Sequence, residues 1–474
     1  MASSREPRRA LAAARARFGG RARGSSFRRD LSVVLAEPHF RRLFATRLIS
    51  QAGDGMFTAG LGTYVFFNAT TFPNPVRAAG AFAVLYLPYS LIGPFAGVII
   101  DRCSRRQIIV WSAVARSVYV ALTAALVASG NLGAPLYVGV LAVLGVDRFF
   151  LSSLSAALPH VVAADKLVMA NAVGPTTGTI VSFLGGFAGL GVHLVTGGGR
   201  TGSAITLLVA GGGYLVAGVV GATMPRDLLG PDLPAGGQRV AVAAELRAVA
   251  AGLAAGARHV LARRLAGAVL LATACQRMVY GILFLMSILL YRNYFYHADA
   301  NSALTHFTLV IVAAALGYGG AAVLLPLVSS RLSPSALIAV ALVLAGLVAG
   351  PLGATFSQVP FLVISFVLGL AAQSVAISAT TIIQQEVDDD FRGRVFSFYD
   401  MLFNVPFVIG AAVSAAFMPV SGKSYALVGV ASGGYLLAGL GYALLIRQPS
   451  PGSPPLPPSP GTSSPSAAAQ RSSS

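Results

Sequence analysis

Apolar runs and short polar interruptions alternate along almost the whole chain, and each run approaches the ~20 residues that carry an α-helix across a bilayer core. Six runs occupy Phe44–Phe67, Ala79–Ile100, Gln107–Ser129, Pro135–Ala157, Asn171–Val195 and Ser203–Met224. A polar stretch follows, and then six more: Leu265–Tyr291, Ala303–Val328, Pro334–Gly350, Pro360–Ile383, Val395–Pro419 and Tyr425–Ile446. The pattern predicts an all-α polytopic membrane protein of about twelve transmembrane helices in two six-helix halves, because hydrocarbon accepts a backbone only when its amides are satisfied internally. The expected organisation is a basic arm at 1–43, a first half at 44–224, a central loop at 225–264, a second half at 265–446 and a tail at 447–474. That tail is almost wholly Pro, Ser, Gly and Ala and has nothing to bury.

Within the central loop, Leu246, Val249, Leu253 and Val260 recur at helical spacing while Arg247, Arg258 and Arg263 fall elsewhere. This predicts an amphipathic helix lying at the membrane surface and tethering the two halves.

Composition removes the soluble alternatives. Of the 474 residues 55% are hydrophobic and only 11% charged, too little charge for a water-facing surface of that size. The formal charge of +18 raises the question of nucleic acid, but the arginines sit in alternate loops, so no nucleic-acid partner is expected. Arg5 to Arg47, Arg102, Arg105, Arg106, Lys166, the central-loop arginines, Arg331, Arg392, Arg394 and Arg447 fall on one side. The opposite loops hold Arg77, Arg200, Arg292 and Lys423. Basic residues resist translocation, so both termini are expected in the cytoplasm, with the protein multi-pass in the cell inner (plasma) membrane. The basic arm admits two readings: an organelle transit peptide, or an arm drawn to anionic membrane lipid. Cys103 and Cys275 give neither a disulfide framework nor metal-ligand spacing, and no metal or cofactor is expected.

Between the second and third runs the chain reads Gly97-Val98-Ile99-Ile100-Asp101-Arg102-Cys103-Ser104-Arg105-Arg106. Gly97 allows a neighbouring helix to approach closely, and a carboxylate at Asp101 suits the N–H groups of a helix N-terminus. The segment resembles the loop signature of the major facilitator superfamily, with Ser104 where that signature has a second glycine. The resemblance implies two pseudo-symmetric halves around a midplane cavity, secondary transport by alternating access, and a cytoplasmic latch. In that latch Asp101 meets the helix starting near Val395, and Arg102, Arg105 and Arg106 pair across the halves with help from Arg392, Arg394 and Asp400. The alternative reading of these arginines is as topology determinants alone. The second-half counterpart, Gly320 to Pro334, keeps Arg331 but has no aspartate. Phe149-Phe150, Ala157-Leu158-Pro159, Val161-Val162, Ala170-Asn171-Ala172 and Asp388 to Val395 are similar to a bacterial branch of macrolide and siderophore exporters. That branch often carries Leu-Gly-Pro in span five, where this chain has Leu184-Gly185-Gly186.

Charges inside spans cost several kcal/mol and mark cavities, partners or proton paths. Asp54, within Gly53-Asp54-Gly55 of span one, is either a proton-coupling carboxylate beside glycines that loosen the backbone or a buried structural pair. Asp147 and Arg148 diverge by ~100° on span four and need separate partners. Arg116 is the candidate for Asp147, and Arg277 for Asp54. Arg148 also resembles an arginine that family members carry near the proton path. Asp400 is expected to serve the gate, and His160 and His193 to be interfacial.

The expected function is proton-coupled efflux of a lipophilic or amphipathic small molecule by a monomer. The alternatives are an importer or lipid-headgroup translocator on the same fold, and a transporter-like scaffold or sensor that no longer transports. No phosphate-binding loop and no catalytic constellation is present, so an enzyme is not expected.

Overall fold

A computed structural model of the chain describes residues 36–67, 74–86, 103–163, 167–225, 228–230, 242–328, 331–387 and 389–447. The described residues are helical almost throughout. In the first half, α1 (Pro38–Phe67), α2 (Pro75–Tyr86), α3 (Arg105–Ala128), α4 (Ala134–Ala157), α5 (Leu167–Val195) and α6 (Gly199–Ala222) follow one another. A central helix, α7 (Val242–Ala262), leads to α8 (Arg264–Leu289), which runs on into a π turn at Leu290–Phe295. The second half continues with α9 (Ala300–Val328), α10 (Pro334–Gly353), α11 (Gln358–Glu386), α12 (Asp389–Phe417) and α13 (Tyr425–Arg447). Among the described residues ten helices are long and apolar enough to cross a membrane. The ion-bearing α1 and the described part of span two bring the arrangement to the expected twelve.

Burial is inverted relative to a water-soluble bundle. Trp111, Val195, Phe417 and Leu437 are 69%, 89%, 75% and 75% exposed, whereas Arg116 and Asp147 are each 1% exposed. Leu and Phe on the outside lose nothing against lipid, while charged groups there would cost several kcal/mol, so the ions turn inward.

The two halves repeat one packing scheme. In the first, α1 packs against α5 and α6, and α3 against α6; in the second, α8 packs against α12 and α13, and α10 against α13. Each half is drawn tight at a pair of glycines. A Cβ on Gly55 would run into the α5 backbone at Ser182 and Gly186, and one on Gly185 would meet Ala52 of α1. In the second half Gly281 lies against Phe407 and Ala411 of α12, and Gly410 against Met278 of α8. Backbone contact of this kind is how membrane helices associate without a hydrophobic driving force between them. The α5–α6 turn uses Gly197, Gly198 and Gly199 at φ of 88°, 66° and 58°, a left-handed run that side chains would strain.

One expectation needs correction here. Helix α1 passes unbroken through Gly53-Asp54-Gly55, so these glycines serve close packing and do not loosen the backbone. The central helix packs on α12 and the start of α8, with Val260 fully buried. A Cβ on Gly256 would stand 3.0 Å from that of Arg394, so the helix needs glycine where Arg394 crosses it. Arg263 fixes its far end by donating to Glu386 O.

Candidate functional site

Four helices of the first half converge on one guanidinium. Arg116 of α3 donates to Asp54 of α1, stands 3.0 Å from Asp147 Oδ1 of α4, and donates from Nη1 to Ser50 Oγ at 2.7 Å. Tyr214 of α6 completes the cluster, donating its hydroxyl to Asp54 Oδ1 at 2.9 Å while its ring lies 3.7 Å from the guanidinium carbon. Phe150 offers a second ring at 5.5 Å. A planar donor fork suits one cation to two carboxylates, and the aromatic faces stabilise a charge held away from water. The two carboxylates differ in access: the Asp147 side chain is 1% exposed and that of Asp54 20%. Arg47, one turn below Gln51, donates to Gln51 Oε1 at 3.3 Å and adds an attraction for Asp147.

Arg116 therefore partners Asp147 as the spacing suggests, but it also takes Asp54. Arg277 does not reach that carboxylate; it lies in the second half, donating Nε to Phe403 O at 2.7 Å with its guanidinium carbon 4.0 Å from the Phe403 ring. Asp147 and Arg148 diverge, and Arg148 attracts Asp400 of α12 across the two halves.

The latch residues divide. Gly97, Asp101 and Arg102 lie outside the described residues, as does the side chain of Arg392. Arg106 turns into its own half, donating Nε to Met224 O at 2.8 Å and Nη2 to Ala222 O at 2.5 Å. Arg105 donates to Leu229 O at 3.2 Å and meets the His160 ring at 3.3 Å. Arg42 reaches Thr223 O at 3.1 Å, so cations gather on the carbonyls that end α6, where the helix dipole favours them. The contacts described for Arg105 and Arg106 are thus with the end of α6, Leu229 and His160. Arg394 lies along Gly252 and Gly256 of α7.

Beside the ion cluster a cavity of about 460 Å³ opens between the halves, within the ~300–1,000 Å³ range of small-molecule sites. Its first-half wall comes from α1, α2 and α5, including Gln51, Gly55, Thr58, Tyr86, Ser182 and Phe187. Phe284 and Ile288 of α8 and Leu304, Phe307 and Ile311 of α9 form the other wall. Among the described residues its lining holds no charged side chain. Aromatic pairs close the seam around it: Phe67 on Phe307 at 5.3 Å, Phe82 on Phe284 at 5.6 Å and Tyr86 on Phe407 at 4.8 Å.

Sequence reasoning missed Tyr214 and Ser50, since neither a lone tyrosine nor a serine in an apolar span signals which ion it faces. It also underrated His193. That side chain is 3% exposed, and its Nδ1 lies 3.3 Å from Ser203 Oγ, which pairs at 2.9 Å with Thr63 Oγ1 on the cavity wall.

Residues 269–472 match the family profile described as Major Facilitator Superfamily. Uncharacterised MFS-type transporters of Mycobacterium bovis and Mycobacterium tuberculosis are each 36% identical over 422 residues, covering 88% of this chain and 93% of theirs. Among solved structures the fold is similar to that of the nucleoside transporter NupG, with a TM-score of 0.60 at 13% identity over 86% of this chain and 99% of that one.

Proposed function

This chain belongs to the major facilitator superfamily, and on that premise we propose that it drives a lipophilic or amphipathic small molecule out of the cell against a proton flow, with Asp54 as the coupling carboxylate. The observation that carries this reading is the sharing of Arg116 by two carboxylates of unequal access. Asp147 is sealed and keeps the guanidinium neutralised in either state. Asp54 is the partly accessible member, one position from cavity-lining Gly55. Protonating Asp54 removes its attraction for Arg116 but leaves Asp147 and Ser50 to hold the cation, so the network has two arrangements without an uncompensated charge.

The cavity supplies the other half of the mechanism. Alternating access requires a site between the halves that each end reaches in turn, and this one lies between α1, α2 and α5 on one side and α8 and α9 on the other. Its phenylalanines suit a lipophilic body, with Gln51, Thr58 and Ser182 able to orient a few polar groups. The exporter-like segments around Phe149-Phe150 and Asn171 support the outward direction.

Proteoliposomes with an imposed pH gradient and an internal pH dye test the assignment. Substrate-dependent proton flux is expected for the native chain and lost in Asp54→Asn. Unchanged flux in that variant would remove Asp54 from the mechanism.

A further inference from the structure

Arg277 is a buried cation with a different environment from Arg116. Its side chain belongs to a residue only 7% exposed, midway along α8. Where Arg116 holds two carboxylates, no carboxylate pairs with Arg277 among the described residues; its one hydrogen bond there goes from Nε to Phe403 O. The rest of the guanidinium is enclosed by rings, with Phe403, Phe407 and Tyr280 at 4.0, 5.1 and 5.4 Å. Aromatic faces soften the burial of a cation but carry no net negative charge. A guanidinium kept in the membrane without a counter-ion is a functional group awaiting one.

Its position says where that counter-ion enters. Arg277 lies seven residues before Phe284, on the face of α8 that Phe284 and Ile288 present to the cavity. Tyr86 and Phe284 line the cavity, and both rings pack on Phe407, which in turn covers Arg277. The guanidinium is thus one ring beyond the cavity, at the seam that alternating access rearranges.

We propose that Arg277 binds an acidic group of the transported molecule, so that the substrate is an amphipathic anion whose apolar body fills the aromatic cavity and whose carboxylate or phosphate meets the guanidinium. A guanidinium offers paired donors matched to either oxyanion, which a neutral lipophile would leave unused. The inference rests on the transporter reading of the cavity and narrows its substrate class.

Equilibrium binding to the purified full chain in nonionic detergent tests it, using pyrenebutyrate and pyrenebutanol, probes with one apolar body and different heads. The native chain is expected to bind the carboxylate at least about tenfold tighter than the alcohol. Arg277→Gln should erase that preference by weakening the carboxylate alone, and Arg277→Lys, which keeps the charge without the fork, should retain part of it. Equal affinities in the native chain, or a preference that survives in either variant undiminished, overturn the proposal. Binding needs no gradient, so head-group discrimination without proton-driven flux would count against coupling by Asp54 and leave Arg277 standing.

Discussion

Arg116 Nη1 stands 3.0 Å from Asp147 Oδ1, with both side chains 1% exposed, while the same guanidinium also reaches Asp54, whose side chain is 20% exposed. The two acids should therefore respond differently to neutralisation. Asp147→Asn leaves a sealed cation short of its sealed anion, and breaking such a pair costs about 3–5 kcal/mol, offset here in part by Asp54. Asp54→Asn keeps an oxygen for Tyr214 and Arg116 to donate to, at the less buried of the two acids. Thermal unfolding in detergent should show a large drop for Asp147→Asn and a small one for Asp54→Asn, while transport is lost in both. A reversed order of stabilities would mean that Asp54 is the structural partner.

How much of this was legible in the sequence follows from which signals are local. A span announces itself in twenty consecutive residues, so α3 to α6 and α8 to α13 stand where the apolar runs place them. Partners across spans are not local: Asp54 and Arg116 are 62 residues apart, and nothing along the chain ranks Arg116 above Arg277 as the match. The same holds for Gly53 and Gly55, whose role depends on Tyr214 and Ser182 of helices far along the chain. Arg105 and Arg106 are ambiguous for another reason: a basic loop serves topology, helix capping and inter-half pairing with the same residues, and their acceptors at Ala222, Met224 and Leu229 lie more than 100 residues along the chain.

Two glycines of α1, both on the cavity wall, differ in what a side chain would meet. A Cβ at Gly55 would press on the Ser182 carbonyl and stand 2.6 Å from Gly186 N, backbone atoms that cannot swing aside, whereas Gly62 has nothing within 4 Å. Gly55→Ala should destabilise the chain by at least the ~1–3 kcal/mol of an overpacked core. Gly62→Ala should be neutral or stabilising, since alanine favours a helix interior by up to about 1 kcal/mol. Melting curves of the two variants side by side check the contrast, and a tolerated Gly55→Ala would argue against the close α1–α5 contact.

Asp299 caps α9 outside the spans, accepting from Asn301 N at 2.9 Å, Ser302 N at 3.2 Å and Ser302 Oγ at 2.5 Å. Those bonds, first from the Ser302 hydroxyl, hold its carboxyl below the usual carboxylate range. A depressed value means that the cap is fully present above the ordinary carboxylate range and is lost as pH falls through the folded value. Hydrogen exchange of the first turn of α9 should thus be constant near neutrality and accelerate in acid. Asp299→Ala should exchange fast at every pH, and a native profile in that variant would show that the carboxyl does not hold the turn.

Orientation can be read from a residue already present. Cys103 is exposed just before α3, at the end of the bundle where α1 begins, while Cys275 is half-buried within α8. We propose from the arginine distribution that this end is cytoplasmic, because guanidinium groups resist translocation. A membrane-impermeant maleimide should therefore leave Cys103 unmodified in intact cells and label it in inverted vesicles. Cys275→Ala serves as the single-thiol background, so the signal has one source. Labelling from the outside of intact cells would reverse the topology, placing Arg42, Arg105 and Arg106 on the far side of the membrane and turning the proposed export into import.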